Sequence, residues 1–354
     1  MKMTFNDIFI DSTKKGRKIL KENYNSKGKI PIIDQGKNQI SGFSDEKMGI
    51  YKEIPVIIFG DHTRIIKYVD YPFLLGADGV KILSIKTNKF IAKYLYYALL
   101  NYYIPDTGYN RHFKWLKNFT LNVNSIDEQK RIVIILDKIV TMIDKKKKQI
   151  NLLEELVKSR FIEMFGDPIK NEKGWEDSYL KNLSVIIMGQ SPPSNSYNNI
   201  GKGLPFYQGN IDFGDKYPKL NKFCSEPLKI AKKKSILMSV RAPVGEINIT
   251  NWDCCIGRGL CSLELAESLN IEYLYNYLKN IIVTVKSKSR GSTFKSINKL
   301  EIENIRVLLP PLSLQNEFAD FATKIDKLKF EAEESLKEME NLYESLMQKF
   351  FKQN

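Results

Sequence analysis

The chain repeats itself, and that limits its architecture more than any other property of its 354 residues. Self-similarity at a fixed offset means that one structural unit is built twice and packed together. Sliding the sequence by 186 positions lays Gln129 on Gln315, Lys138-Ile139 on Lys324-Ile325, Leu156 on Leu342, Ser159 on Ser345 and Phe165 on Phe351. A gapped correspondence precedes each of these stretches. GKIPIIDQG (Gly28 to Gly36) resembles GLPFYQG (Gly203 to Gly209), and GADGVKIL (Gly76 to Leu83) resembles GRGLCSL (Gly257 to Leu263). Tyr94-Leu95 with Tyr97 is echoed by Tyr273-Leu274 with Tyr277. No single match would persuade; their shared order does. The chain reads as globule, long helix, globule, long helix.

The overlaid stretches are helical by pattern. From Ile126 to Phe165, apolar residues recur at Ile132, Ile135, Leu136, Ile139, Met142, Ile143, Ile150, Leu153, Leu156 and Phe161, uninterrupted by Pro or Gly. That spacing is the three-four alternation of a helix with one apolar stripe. Ser125 with Glu128 forms a capping box, and Gly166-Asp167-Pro168 is a stop signal. The second run, about Ser313 to Phe351, carries Phe318, Phe321, Ile325, Leu328, Leu336, Met339, Leu342, Leu346 and Phe350 after Pro310-Pro311. Helices this long cannot bury their stripes on a small globule alone, so each is expected to pair with the other.

The intervening parts read differently. Short β-branched runs at 54–59, 64–69, 79–85, 235–240, 245–250 and 260–264 are separated by Gly, Asp and Pro turns, and short helices are expected at Ala92 to Leu100 and Ile271 to Lys279. These are mixed α/β globules with small twisted sheets. Trp115, Trp175 and Trp252 are expected as buried anchors. The boundaries follow: 1–125 first globule, 126–166 first helix, 167–311 second globule, 312–354 second helix.

Charge separates these parts by role. The net +14 divides into +9 for residues 1–125, +2 for 126–165, +6 for 166–311 and −3 for 312–354. The globules therefore carry the excess that attracts a polyanion such as nucleic acid, while the helices act as spacers or docking surfaces. Lys145 to Lys148, inside a helix, reads as a solvated face.

Catalytic signatures are missing. The sequence has no GxxxxGK[ST] loop, no GxGxxG after a strand, and no Asn/Asp-Pro-Pro-aromatic motif for a flipped base. Asp61 and His62 are adjacent, so on a strand they would face opposite ways, and a turn or phosphate-contact role fits them better than a dyad. Cys224, Cys254, Cys255 and Cys261 form no CxxC pair and read as small core residues. No metal site or disulfide framework is expected, nor a signal peptide or transmembrane helix. The chain reads as cytoplasmic and non-catalytic.

These residues together resemble the specificity subunit of Type I restriction-modification systems. The first half carries GKIPIIDQG at Gly28, IIFGDHT at Ile57, FLLGADG at Phe73, SIDEQKRI at Ser125 and FIEMFGDP at Phe161. The second half carries GQSP at Gly189, MSVRAPVG at Met238 and LPPLSLQ at Leu309. The resemblance covers essentially the whole chain, with one departure: Asn124-Ser125 stands before the first helix where the family often has Pro. It implies an α+β fold: two mixed α/β target recognition domains joined by two long antiparallel coiled-coil helices, with internal pseudo-two-fold duplication. It further implies sequence-specific recognition of a bipartite DNA target, one half per globule, with two modification (methyltransferase) subunits as partners. S-adenosylmethionine would belong to those subunits, and ATP and Mg to restriction subunits where present; this chain would hold no cofactor. A non-specific basic architectural DNA-binding protein and a coiled-coil protein adaptor are the competing classes.

DNA contact needs donors, amides and positive charge on exposed loops. In the first globule these are Gln35, Lys37, Arg64, Tyr109, Asn110, Arg111, His112 and Lys114. In the second they are Gln190, Ser191, Gln208, Asn210, Arg241, Arg258, Arg290, Ser292, Thr293 and Lys295.

Overall fold

The computed structural model describes residues 1–76, 78–288 and 296–352. It forms two compact units, Met1–Lys147 with Glu334–Asn354, and Lys148–Glu333, so each long helix contributes a part to each unit. Those helices are Ile126–Phe165 and Leu312–Phe351, 40 residues apiece, or about 60 Å at 1.5 Å per residue. The first begins where the Glu128 N–H donates to Ser125 Oγ at 3.2 Å. It ends at Gly166, whose φ of +79° suits a residue without Cβ and whose N–H still reaches Ile162 O at 2.8 Å. The second begins on Pro311, whose carbonyl accepts from Leu314 and Gln315 at 2.9 and 3.1 Å. Among the described residues no helix is long and apolar enough to cross a membrane.

Both units share a common set of elements, to which the second adds the strands Tyr197–Asn198 and Ile230–Ala231 at the edges of its smaller sheet. The first has an antiparallel sheet ordered Phe9–Asp11, Val80–Ile85, Val56–Gly60, Ile66–Val69, and a smaller one ordered Gly42–Ser44, Ile30–Ile33, Leu74–Leu75 with its last pair parallel. The second repeats this as Ser184–Met188, Leu260–Leu265, Ile236–Ser239, Ile247–Ile249, and as Phe223–Cys224, Leu204–Tyr207, Cys254–Ile256. A short ribbon closes each globule, Lys2–Thr4 with Thr120–Asn122 and Asp177–Tyr179 with Arg306–Leu308. The helix Ala92–Leu100 lies where expected; its counterpart Ile271–Lys288 runs longer.

The uninterrupted apolar run of Val56–Gly60 follows from burial on both faces. Ile57 and Phe59 meet the cluster containing Tyr94 and Leu95, while Val56 and Ile58 meet Ile33, Phe73 and Leu75. The long helices close these cores. Ile132 and Leu136 from the first helix, with Met347 and Phe351 from the second, complete the first unit; Phe161, Phe165, Phe318 and Ala322 complete the second. In the second unit Glu154 meets Lys329 while Arg160 meets Glu317, so the helices run antiparallel there. The expected stripe is only partly covered. Met142, Leu156, Leu328 and Leu342 remain about half exposed, because a 3.6-residue turn drifts away from a three-four stripe and rotates its edge outwards.

A buried glutamine locks each globule to the start of its helix. Gln129 donates through Nε2 to Lys89 O (2.8 Å) and Asn124 O (3.0 Å) and accepts from Ile91 N–H at 2.9 Å. Gln315 donates to Pro310 O (2.9 Å) and Ser268 O (3.5 Å) and accepts from Asn270 N–H at 2.9 Å. The Gln129–Gln315 overlay in the sequence is thus a shared joint.

Of the tryptophans, Trp175 packs against the second core and donates to Phe165 O at 3.0 Å, and Trp115 packs against the first. Trp252 is 57% exposed and anchors nothing. Thr250 pins its turn through the Trp252 backbone beyond the end of the strand Ile247–Ile249, which leaves the indole outside. All four cysteines are buried, and burial pushes the Cys254, Cys255 and Cys261 thiols up to about 12.

Candidate nucleic-acid interface

In the first globule four segments converge at the ends of the strands. Gly76 N–H donates to Ile33 O (2.8 Å), Asp61 N–H to Gly79 O (2.6 Å) and His112 N–H to Asp61 O (2.8 Å). Gln35 sits between them: its Nε2 donates to Asp78 O at 2.9 Å and its Oε1 accepts from His62 N–H at 3.2 Å. Gly79, at φ +84°, leaves room for this packing; a Cβ there would lie 2.6 Å from the His62 ring and 2.7 Å from Gln35 Nε2. The segment carrying Lys37 is wired from beneath. Asp34 accepts from Gly36 N–H (2.7 Å) and Ser41 Oγ, and the buried Lys67 ammonium donates to Asn38 O at 2.5 Å. Burial lowers the Lys67 pKa, with Asp34 at 3.8 Å opposing the shift.

This geometry corrects the expectation of direct DNA contact for His112 and shows internal bonds for Arg64 and Gln35. His112 is fully buried. Its Nδ1 lies 3.0 Å from the Asp61 carbonyl, which can only accept, so Nδ1 carries the proton; Nε2 faces Thr107 Oγ1 at 3.2 Å. His112 is a structural pin. Arg64, at φ +62° and one-third exposed, donates to Ile104 O (3.2 Å) and to the surface carboxylate of Asp106 (2.5 Å), so its guanidinium is engaged with the neighbouring segment. Gln35 is committed to the turn. Lys37, Tyr109, Asn110, Arg111 and Lys114 remain exposed, with Asn110 donating to Thr107 O. Tyr109 is 89% exposed, and its ring stacks on His62 at 4.8 Å and 10°. Sequence reasoning missed Lys18 and Asp78, which pair at 2.5 Å beside this rim. The Lys18 ammonium, helped by Arg111, holds the Asp78 carboxyl below the usual carboxylate range. The paired Gly76–Gly79 and Gly257–Gly259 motifs were the available signal for that turn.

The second globule assembles Gln190, Ser191, Gln208, Asn210 and Arg258 around a backbone crossing. Gly189 N–H donates to Leu260 O (2.9 Å), Gln190 N–H to Ile256 O (3.0 Å), Gly257 N–H to Tyr207 O (2.9 Å), and Arg258 N–H to Ser191 Oγ (3.3 Å). The chains approach so closely that a Cβ on Gly189 would lie 2.2 Å from Gly257 O, and one on Gly259 would lie 2.5 Å from Gln208 O. Asp212 turns the Gln208 segment by accepting from Gln208 N–H at 2.6 Å. Gln190, Gln208, Arg241 and Arg258 are exposed, while Ser191 and Asn210 are half-buried. Arg290, Ser292, Thr293 and Lys295 lie outside the described residues.

This globule is seated on its helices by ions. Lys216 meets Glu272 at 2.7 Å and Asp326; Lys329 meets Glu154, and Asp215 at 2.8 Å. Burial works against the Lys216 ammonium, but Glu272 and Asp326 outweigh it and hold its pKa above the usual lysine value. These lysines line a cleft of about 750 Å³. Among the described residues no cluster of His, Cys, Asp or Glu could hold a metal ion.

Comparison with known proteins agrees with this duplicated design. The Type I restriction modification DNA specificity domain matches residues 1–155 and again 172–341. The chain is 34% identical over 281 residues to the putative type I restriction enzyme MjaX specificity subunit of Methanocaldococcus jannaschii, covering 72% of this chain and 66% of that protein, just under two thirds of its length. It is 23% identical over 336 residues to a type I restriction enzyme specificity subunit of Escherichia coli, covering 87% and 82%. The fold is shared with the S subunit of a Type I restriction-modification system from M. genitalium (TM-score 0.69, 18% identity, 100% and 96% covered). It is shared also with a chain from a structure of the assembly and conformational transition of a type I system (TM-score 0.60, 24% identity, 99% and 97% covered). The two domain matches fall one on each globule with the helix that follows it, and on that ground the chain belongs to the family of Type I restriction modification DNA specificity domains.

Proposed function

We propose that this chain is the sequence-reading subunit of a Type I restriction-modification complex, with each globule reading one half of a bipartite DNA target. One observation carries the reading: the two globules share a scaffold down to the buried joint glutamines, yet display different side chains on the same rim. A generic binder gains nothing from two different readers. Phosphates are met by exposed cations of each rim, Lys37, Arg111 and Lys114 in one globule and Arg241 in the other. The helices set the gap between half-sites, a geometric quantity on B-DNA that repeats every ~34–36 Å of helical turn. Ile134, Leu152 and Phe330, apolar and exposed on the helices, offer docking surface for two modification subunits. Those subunits bring S-adenosylmethionine and the methyltransfer step, and restriction subunits bring ATP and Mg. This chain contributes recognition without catalysis, and its buried thiols suit the cytoplasm.

Coexpression with a modification subunit, followed by sequencing of methylated sites, tests the reading. A split motif with a fixed gap is expected. Methylation or binding without sequence preference would replace it with a non-specific architectural role, and no effect on DNA would leave an adaptor.

A further inference from the structure

The glycine turn that ends the parallel strand pair occupies the same place in both globules, and matching hydrogen bonds flank it on both sides, although the first turn holds two residues between its glycines and the second holds one. Ile33 pairs with Leu75 as Tyr207 pairs with Ile256. Gly76 N–H then donates to Ile33 O as Gly257 N–H donates to Tyr207 O. At the far side, Gly79 O accepts from Asp61 N–H as Gly259 O accepts from Val240 N–H. The residue before the second glycine is therefore Asp78 in one globule and Arg258 in the other. Both project from a tip whose flanking glycines have no space for a side chain. A Cβ on Gly76 would lie 2.5 Å from Asp34 Cβ, and one on Gly259 would lie 2.5 Å from Gln208 O. The Asp78 side chain is 92% exposed and Arg258 is exposed. Among the described residues, no hydrogen bond or ion pair engages the Arg258 guanidinium.

The glycines of each turn are bonded to neighbouring backbones, and Asp78 O also accepts from Gln35 Nε2 at 2.9 Å; such bracing restricts the residue before the second glycine, which a base reader requires and a phosphate contact does not. The two tips carry opposite chemistry. A guanidinium fork presents two parallel donors that match guanine O6 and N7, whereas a carboxylate accepts from an exocyclic amine such as cytosine N4. A carboxylate on a basic rim repels phosphate, so its presence is unexplained by electrostatic attraction to DNA; Lys18 at 2.5 Å offsets that repulsion while leaving the second carboxylate oxygen for a base. Resting on the reading above, we infer that Asp78 and Arg258 are equivalent specificity-determining residues, Asp78 selecting an amine-bearing base in one half-site and Arg258 selecting guanine in the other.

The experiment is selection from a randomised duplex library by the full chain in complex with its modification subunits, comparing the parent with D78N and R258K. R258K keeps the charge and loses the fork; D78N keeps one acceptor and gains a donor. The parent should yield a split motif with guanine in one half and cytosine or adenine in the other. Each variant should lose about 5- to 150-fold of preference at one base position of its own half, with the other half and the gap unchanged. A parent motif that both variants preserve overturns this assignment and leaves the proposed function standing. A variant that alters many positions in both halves overturns it as well, since that marks a structural role. A parent that selects no split motif overturns the proposed function and this assignment together.

Discussion

Replacing Gln315 with Leu tests whether the joint between globule and helix is the hydrogen-bonded device described here. Gln315 is 1% exposed. Leucine has similar bulk, so the change removes polar contacts with little cavity. Two bonds matter, from Asn270 N–H at 2.9 Å and to Pro310 O at 2.9 Å. The third, to Ser268 O at 3.5 Å, is long and belongs to an exposed residue, so water can replace it. Each buried polar group left without a partner costs ~1–3 kcal/mol, so the two together should cost about 2–6 kcal/mol. For a unit of this size that lowers the melting temperature by about 4 °C or more. Gln129→Leu should cost a similar amount, since its bonds to Ile91 N–H, Asn124 O and Lys89 O are equally short. Gln315→Glu keeps the acceptor for Asn270 but buries a carboxylate against the Pro310 carbonyl, so at neutral pH it should cost more than the leucine variant. Urea and thermal unfolding followed by circular dichroism would measure all three. Leucine variants within about 0.5 kcal/mol of the parent, the usual range for a surface change, would refute the joint.

The buried ions offer a contrast between two lysines. Lys216→Met strands Glu272, whose side chain is 14% exposed, and should cost ~3–5 kcal/mol; Lys329→Met leaves Glu154 and Asp215 more than half exposed, so the cost should be under ~1 kcal/mol. Because the folded pKa of Lys216 is raised above its ordinary 10.5, its contribution is fully present below that value and is lost as pH rises through the folded pKa, which alkaline unfolding curves of parent and Lys216→Met would show by converging. Gly189→Ala places a Cβ against the Gly257 carbonyl and should destabilise by ~1–3 kcal/mol, with faster amide exchange at Gln190. Adjacent residues 111 and 112 should behave oppositely. Arg111→Ala should leave stability within ~0.5 kcal/mol and reduce the salt slope of DNA binding by roughly one, while His112→Ala should lower the melting temperature because it removes a buried pin.

Much of the fold was legible because it rests on local signals. The stop at Gly166, the start after Pro311 and the strands around Val56–Gly60 and Leu260–Leu265 are set by residues within a few positions of one another. Part of the rim was legible for the same reason: Tyr109 and Arg111 stand on a polar turn beside Gly108, and both are exposed. His112, Arg64 and Gln35 could not be separated from them by residue type. Each has donors suited to DNA, and each is engaged by a partner far along the chain, Asp61, Asp106 and Asp78 respectively, with only His112 buried. Trp252 failed in the opposite sense, since aromatic bulk says nothing about whether a turn ends inside or outside the sheet.

The sequence by itself determined the duplication, the element order and the placing of positive charge on the globules, because periodicity, glycine and proline punctuation and net charge act over short stretches and survive without a tertiary partner. The tertiary structure alone decided which polar side chains are bonded within the fold and which remain free, and that the turns carrying Asp78 and Arg258 end equivalent strand pairs. A hydrogen bond of about 3 Å depends on where distant backbones come to lie, and no spacing along the chain encodes that distance.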